Sequence, residues 1–160
     1  MKIKIILAVV VVVLLLPVLL LALLSLFSRK PGNLGVHDGE LRPCPDSPNC
    51  VSSRAADDAH RVQPLAYAGP APDAWRRLEE ILRGLPRARI TERTAEYMYV
   101  EFTSALFRFT DDVEFQLDEQ AGVVHVRSAS RAGHSDLGAN RSRVEQVRRL
   151  FTPPDALDGG

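Results

Sequence analysis

The sequence predicts an α+β domain: an antiparallel sheet of about five strands with two helices on one face, preceded by an N-terminal transmembrane helix. Three observations lead to this prediction. The chain opens with a long uncharged apolar run, later segments alternate apolar with polar residues, and two further segments repeat apolar residues every three or four positions. Alternation is typical of strands, and the longer period is typical of helices. The 160 residues leave room for one such domain besides the anchor.

The apolar run extends from Ile5 to Phe27 and contains no charged residue. As a helix, its 23 residues would be about 34 Å long, enough to cross a hydrocarbon core of about 30 Å. The run is longer than that of a cleaved secretory signal, and no small-residue cleavage site follows it. We therefore predict an uncleaved anchor over residues 1–30, with membrane lipid as its partner. Basic residues flank the run on both sides, so the positive-inside rule barely discriminates between orientations.

The chain has two cysteines, Cys44 and Cys50, in the proline-rich stretch RPCPDSPNCVSS. A structural disulfide is the favoured interpretation, because export behind an anchor would provide an oxidising compartment. Two alternatives stay open: a metal clip with His37 and His60, which lacks zinc-motif spacing, and a reactive pair, which lacks Cys-x-x-Cys spacing. The disulfide favours a single-pass plasma (inner) membrane protein with an extracytoplasmic C-terminal domain.

The composition of the rest of the chain indicates three parts: a connector, a folded domain and a tail. Residues 31–61 are rich in turn-forming residues and keep no regular period, so we predict an extended connector clipped by the disulfide. The α+β domain is expected over residues 62–152. The tail, residues 153–160, is expected to be disordered.

The domain is predicted to begin with a short edge strand at Arg61–Tyr67. The segment GPAPDAWRRLEEILRGLP then forms a helix, capped by Asp73 and ended by Gly84 and Pro86. Four strands follow, at Arg87–Thr91, Tyr97–Thr103, Asp111–Leu117 and Val123–Ser128. The last helix runs from Asn140, its predicted cap, to Phe151. The order β-α-β-β-β-β-α matches the TATA-binding-protein-like class, with a helix-grip arrangement as its rival.

The last two strands are predicted to form a hairpin with one polar face. Asp112, Glu114 and Gln116 alternate with apolar residues on the first strand, and His125 and Arg127 do so on the second. Because alternate side chains point to opposite faces, these five residues should share one face of the sheet.

The densest polar segment is HVRSASRAGHSDLGANRSR, residues 125–143, which ends at the start of a helix. Arginine side chains bind carboxylate or phosphate through two hydrogen bonds, and helix N-termini favour anions. We predict a site for an anionic ligand, such as a lipid head group or a cell-wall fragment, formed by Arg127, Ser128, Ser130, Arg131, Asp136, Asn140 and Arg141. The alternative is a structural network in which Asp111, Asp112 and Glu114 pair with Arg127 and Arg131.

Enzymatic alternatives stay open. His134, Asp136 and a nearby serine are the residue types of a hydrolase, but no nucleophile-elbow motif accompanies them. A divalent metal would draw on His125, His134, Asp111 and Asp112, again without motif spacing. No catalytic residue, metal ligand or cofactor is therefore assigned. A structural subunit of an envelope complex is a further alternative, with protein partners unknown.

Charge argues against nucleic acid as a partner. The formal net charge is zero, but residues 1–30 hold four basic and no acidic residues. Residues 31–160 hold 16 basic residues against 20 acidic ones, a net charge of −4. The domain therefore lacks the basic bias of nucleic-acid-binding proteins.

Three blocks resemble, in the same order, those of the DUF 1499 family, a domain of unknown function: LGVHDGELRPCPDSPNCVSS, FTDDVEF and HVRSASRAGHSDLGANRSRVEQVR. The resemblance covers Leu34 to about Leu150. It implies a membrane-associated or exported envelope protein and implies no activity.

Overall fold

The structure is a computed structural model that describes residues 2–152. The predicted tail at 153–160 lies outside the described residues. The helices are Lys2–Phe27 (α1), Ala71–Gly84 (α2) and Ala139–Phe151 (α3). The strands are Val36–His37 (β1), Glu40–Leu41 (β2), Cys50–Ser52 (β3), Leu65–Ala66 (β4), Ala88–Arg93 (β5), Tyr97–Thr103 (β6), Thr110–Asp118 (β7) and Val123–Ser130 (β8).

The main sheet is antiparallel and has six strands in the order β3-β8-β7-β6-β5, with β4 also pairing with β8. The predicted α+β class is confirmed, with one strand more than expected. The additional strand is β3, which comes from the predicted connector. β1 and β2 form a separate two-stranded hairpin.

Helix α1 is long and apolar enough to cross a membrane. The span Lys2–Ser25 has a mean hydropathy of 3.5, and its apolar window is not buried inside the protein. A membrane anchor and a signal sequence share these properties. Pro17 lies within the helix, where a membrane span tolerates it.

The core lies between one face of the sheet and the two other helices, α2 and α3. Both helices bury one side, as their apolar spacing predicts. The helices contribute Trp75, Leu78, Leu82, Val144, Val147 and Phe151, and the sheet contributes Val113, Phe115, Leu117, Val124 and Val126. Helices and sheet thus form two layers, as predicted.

Both predicted helix caps are wrong. Helix α2 begins at Ala71, preceded by Pro70, so Asp73 lies inside its first turn. Asn140 lies within α3 and is completely buried. Its amide instead bonds groups that face the core, where an unpaired polar atom would be costly.

The connector covers the second face of the sheet. Leu41, in the β1–β2 hairpin, packs against Tyr97 and Tyr99 of β6. Gln116 Nε2 donates a hydrogen bond of 2.7 Å to the Gly39 carbonyl. The main sheet is therefore enclosed between the two helices on one side and the connector on the other.

The disulfide lies beside strand β3. The sulfurs of Cys44 and Cys50 are 2.06 Å apart, at bonding distance. Cys50 begins β3 and pairs with Ala129 of β8. The bond therefore ties Cys44 to the start of β3, the strand at one end of the order β3-β8-β7-β6-β5.

Strand β5 forms one edge of the main sheet. Its pairing with β6 shifts register between Ile90 and Glu92, which is typical of a β-bulge. Most of its residues are exposed, including the charged Arg89 and Arg93.

Candidate functional site

Strand β8 separates the predicted ligand-binding residues onto two faces of the sheet. Arg127 lies opposite Glu114 of β7, and both face the connector. Ser128 points the other way, where its hydroxyl donates a 2.6 Å hydrogen bond to Asn140 Oδ1 of α3. The register also places Gln116 opposite His125, so the predicted polar face is confirmed. The predicted ligand-binding residues therefore lie on both faces of the sheet.

Arg127 and Glu114 form an ion pair inside the protein. Arg127 Nη1 lies 3.1 Å from Glu114 Oε2, and the side chains are 1% and 0% exposed. Glu114 Oε1 also accepts hydrogen bonds from the Gly35 N–H at 2.7 Å and the Tyr97 hydroxyl at 3.0 Å. Burial, helped by nearby Arg42, lowers the pKa of Arg127 despite the attraction of Glu114. Burial, with the charge of Glu114, raises the pKa of Tyr97.

A second network surrounds Arg131 on the same face. Its Nε donates to Asp112 Oδ1 at 3.0 Å, and its Nη2 donates to the Tyr99 hydroxyl at 2.7 Å and to Glu101. Burial acts to lower the pKa of Arg131, but the hydrogen bonds to Asp112 and Glu101 outweigh it, and the pKa is raised. Together with the Glu114–Arg127 pair, this forms most of the structural network that the sequence offered as the alternative. Asp111, its third acidic member, pairs with Arg143 instead.

On the helix face, Asn140 joins four groups. Its Nδ2 donates to the Asn49 carbonyl and to Ser130 Oγ, both at 2.9 Å. Its Oδ1 accepts from Ser128 Oγ at 2.6 Å and from Arg143 Nη1 at 2.8 Å. The buried amide therefore links β8 and α3 to the residue preceding β3.

Asp136 caps helix α3 from the loop before it. Its two oxygens accept hydrogen bonds from the backbone N–H of Gly138 at 3.0 Å and of Asn140 at 2.7 Å. His134 is exposed, and in the described part of the chain no hydrogen bond joins it to Asp136. The two residues of the hydrolase alternative are therefore not arranged as base and orienting acid.

Arg141 donates hydrogen bonds of 2.7 Å to the carbonyls of Arg61 and Ala59. Like the other six residues of the predicted set, it contacts the chain itself. Ligand binding by this set stays a prediction.

Three of the four residues of the metal alternative, His125, Asp111 and Asp112, contact other side chains. Asp111 binds Arg143 Nη2 at 2.5 Å, and Asp112 binds Arg131. His125 Nδ1 lies 3.1 Å from Ser53 Oγ, and burial, together with the charge of Arg54, lowers the pKa of His125. Within residues 2–152, no three His, Cys, Asp or Glu side chains converge as metal ligands do.

A groove of about 440 Å³ lies where the end of α2, the start of α3 and strands β5 and β6 meet. Its lining includes three arginines, Arg87, Arg143 and Arg149, and no acidic residue. The Arg143 guanidinium lies 4.8 Å from the Phe102 ring centroid. Arg87 and Arg149 are exposed. We call this feature the arginine groove. Sequence reasoning missed it because Arg87, in the α2–β5 turn, is more than 50 residues away along the chain from Arg143 and Arg149 of α3.

The comparisons with known proteins agree with the resemblance noted in the sequence. The family model described as "Protein of unknown function (DUF1499)" matches residues 40–151. No curated protein and no solved structure matches the sequence. The match runs from strand β2 to the end of helix α3. The chain therefore belongs to the DUF1499 family of proteins of unknown function.

Proposed function

We propose that this protein is a membrane-tethered module of the cell envelope whose extracytoplasmic domain binds a ligand carrying phosphate or carboxylate. Helix α1 supports the tether, because it has the length and composition of a membrane span. The Cys44–Cys50 bond supports export, because disulfides persist in oxidising compartments.

The arginine groove is the observation that carries the ligand proposal. Its volume of about 440 Å³ falls within the range of small-molecule sites, roughly 300–1,000 Å³. Arg87 and Arg149 offer exposed guanidinium groups, and no carboxylate in the lining competes for them. Arginine pairs with carboxylate and phosphate through two parallel hydrogen bonds.

Hydrogen bonds from buried residues hold one of the groove's arginines, Arg143, in place. Arg143 lies in the groove wall while its nitrogens bind Asp111 and Asn140, which holds the guanidinium against the Phe102 ring. Asn140 is fixed in turn by Ser128. In this proposal the serines and Asn140 of the predicted set position the site, while Arg87 and Arg149 contact the ligand.

Titration calorimetry on the full chain in detergent micelles tests the proposal. The probes are sn-glycerol 3-phosphate, which represents a lipid head group, and N-acetylmuramic acid, which represents the cell wall. We expect one of them to bind, and the double variant Arg87→Ala/Arg149→Ala to bind at least about tenfold more weakly, because each charged hydrogen bond contributes roughly 1.5–3 kcal/mol.

Arg76→Ala is the matched control, because Arg76 is an exposed arginine in the first half of α2, away from the groove. It should bind as the unmodified chain does. Equal affinity in the double variant, or no binding of either probe to the unmodified chain, would refute the proposal.

A further inference from the structure

Two loops expose large apolar side chains at one end of the domain. They are the β6–β7 loop, residues 104–109, and the β8–α3 loop, residues 131–138. Leu106 is 79% exposed and Leu137 is 97% exposed, the highest values among the large apolar residues described outside α1. Neither leucine contributes to the core, so packing does not account for their apolar character.

The two loops lie beside each other. A cavity of about 300 Å³ is lined by Ser104 and Phe109 from the first loop and by Gly133 and Leu137 from the second. Leu137 lines this cavity, and Leu106 is two residues from Ser104 in the adjoining loop, so both exposed leucines lie at this end of the domain. We call Leu106 and Leu137 together the tip surface.

The tip surface adjoins the end of helix α1, because Leu24 of α1 lines the same cavity. Leu24 precedes the last residue of α1, Phe27, by three positions, a rise of about 4.5 Å along the helix axis. When α1 spans a bilayer, the depth of Leu24 is that of the interface between acyl chains and head groups. Side chains of the neighbouring loops then reach the same depth.

The domain has little freedom to move away from this depth. The Lys30 ammonium lies 4.2 Å from the ring centroid of Tyr99 in strand β6. Only two residues, Ser28 and Arg29, separate α1 from this contact. An extended chain covers at most about 3.6 Å per residue, so the span and the sheet stay close together.

The charge around the tip surface suits anionic lipid. Arg29 and Lys30 follow the span, and Arg108 lies in the β6–β7 loop, which contains no acidic residue. Asp136 is the acidic residue of the second loop, and its oxygens bind the backbone at the start of α3. Basic residues beside apolar ones are typical of segments that lie in the membrane interface.

We propose that Leu106 and Leu137 insert into the leaflet in which α1 ends, so that the domain rests on the bilayer through the tip surface. This inference rests on the membrane tether of the proposed function. It gives the bilayer a second contact with the protein and fixes the orientation of the domain.

Brominated lipids test the insertion, because they quench tryptophan fluorescence only at short range. The chain's single tryptophan, Trp75, is 2% exposed and gives a constant background. The variants Leu106→Trp and Leu137→Trp are compared with Leu150→Trp, whose leucine is exposed near the other end of α3. Each full chain is reconstituted in vesicles of phosphatidylethanolamine and phosphatidylglycerol with brominated acyl chains.

We expect the new tryptophan at position 106 or 137 to be quenched at least about twice as strongly as the one at position 150. Equal quenching at all three positions, in a chain that stays on the vesicles after an alkaline wash, would overturn the insertion and leave the tether standing. A chain that washes off would overturn both. Protection of positions 106 and 137 from aqueous iodide without quenching by bromine would indicate a protein contact and overturn the lipid proposal.

Discussion

Replacing Arg127 by methionine tests the buried ion pair directly. Methionine keeps much of the apolar volume but removes the cation, so the Glu114 carboxylate stays in a site where it is 0% exposed. Breaking a buried pair by removing one partner costs about 3–5 kcal/mol. Glu114 keeps its hydrogen bonds from Gly35 and Tyr97. We therefore expect a loss near the lower end, about 3 kcal/mol in the free energy of unfolding.

Urea unfolding of the full chain in detergent micelles measures this loss. Trp75 reports it, because this α2 side chain is buried in the core and its Nε1 donates a 3.1 Å hydrogen bond to the Thr94 carbonyl. Domains of this size are stable by roughly 5–15 kcal/mol, so the shift in midpoint is large. Arg76→Met is the control. It breaks a pair with Asp73 whose side chains are 67% and 63% exposed, and should cost less than about 1 kcal/mol.

A double variant separates the charge from the shape. Glu114→Gln combined with Arg127→Met removes both charges of this pair, while the amide oxygen at position 114 still accepts hydrogen bonds. We expect it to be more stable than Arg127→Met alone, by roughly 1–2 kcal/mol. If Arg127→Met costs no more than Arg76→Met, or if the second substitution adds to the loss, the reasoning about the buried charge is refuted.

Two further predictions concern the connector and the sheet. Replacing Cys44 and Cys50 by serine should lower the free energy of unfolding by about 2 kcal/mol, since the closed loop is short. Urea unfolding with and without reductant measures this loss. Labelling of both thiols in native membranes without reductant would contradict the disulfide. Burial lowers the pKa of His125 in the folded state, so the unfolded chain binds a proton more readily. The contribution of neutral His125 to the free energy of unfolding is therefore complete above the unfolded-state pKa of about 6.5, and it decreases as the pH falls below that value. The urea concentration at the unfolding midpoint should decrease when the pH is lowered from 7.5 to 5.5, and the decrease should be smaller in His125→Gln. An equal decrease in both chains would assign the effect to other groups.

Alternation along β7 and β8 was sufficient to predict the polar face. A period of two places Glu114 and Arg127 on the same side of the sheet once the two strands form a hairpin. The hairpin is a local feature, because only the four residues 119–122 join its strands. Local pattern and tertiary structure agree here, and the prediction is confirmed.

Strand β3 could not be predicted in the same way. Cys50–Ser52 is only three residues long, and it pairs with residues 127–129, far along the chain. Its regular structure therefore depends on a distant partner rather than on its own pattern. Turn-forming residues around it led to the expectation of a connector without strands.

Closeness in sequence did not predict which residues of the candidate site lie together in space. Arg127 and Ser128 are neighbours in sequence, but successive strand residues point to opposite faces. Conversely, Arg87, Arg143 and Arg149 meet at one groove from the α2–β5 turn and helix α3. No spacing rule connects them, so tertiary structure was needed to bring them together.

Strand β5 has a consequence for the proposed membrane-tethered state, in which copies of the protein would lie side by side. Confinement to two dimensions raises the local concentration of domains, and an open sheet edge invites another strand to extend the ladder. Here the outer edge carries Arg89, Glu92 and Arg93, and its register shifts after Ile90. Charged side chains and a bulged backbone oppose such pairing. We therefore expect neighbouring copies to crowd together without joining edge to edge.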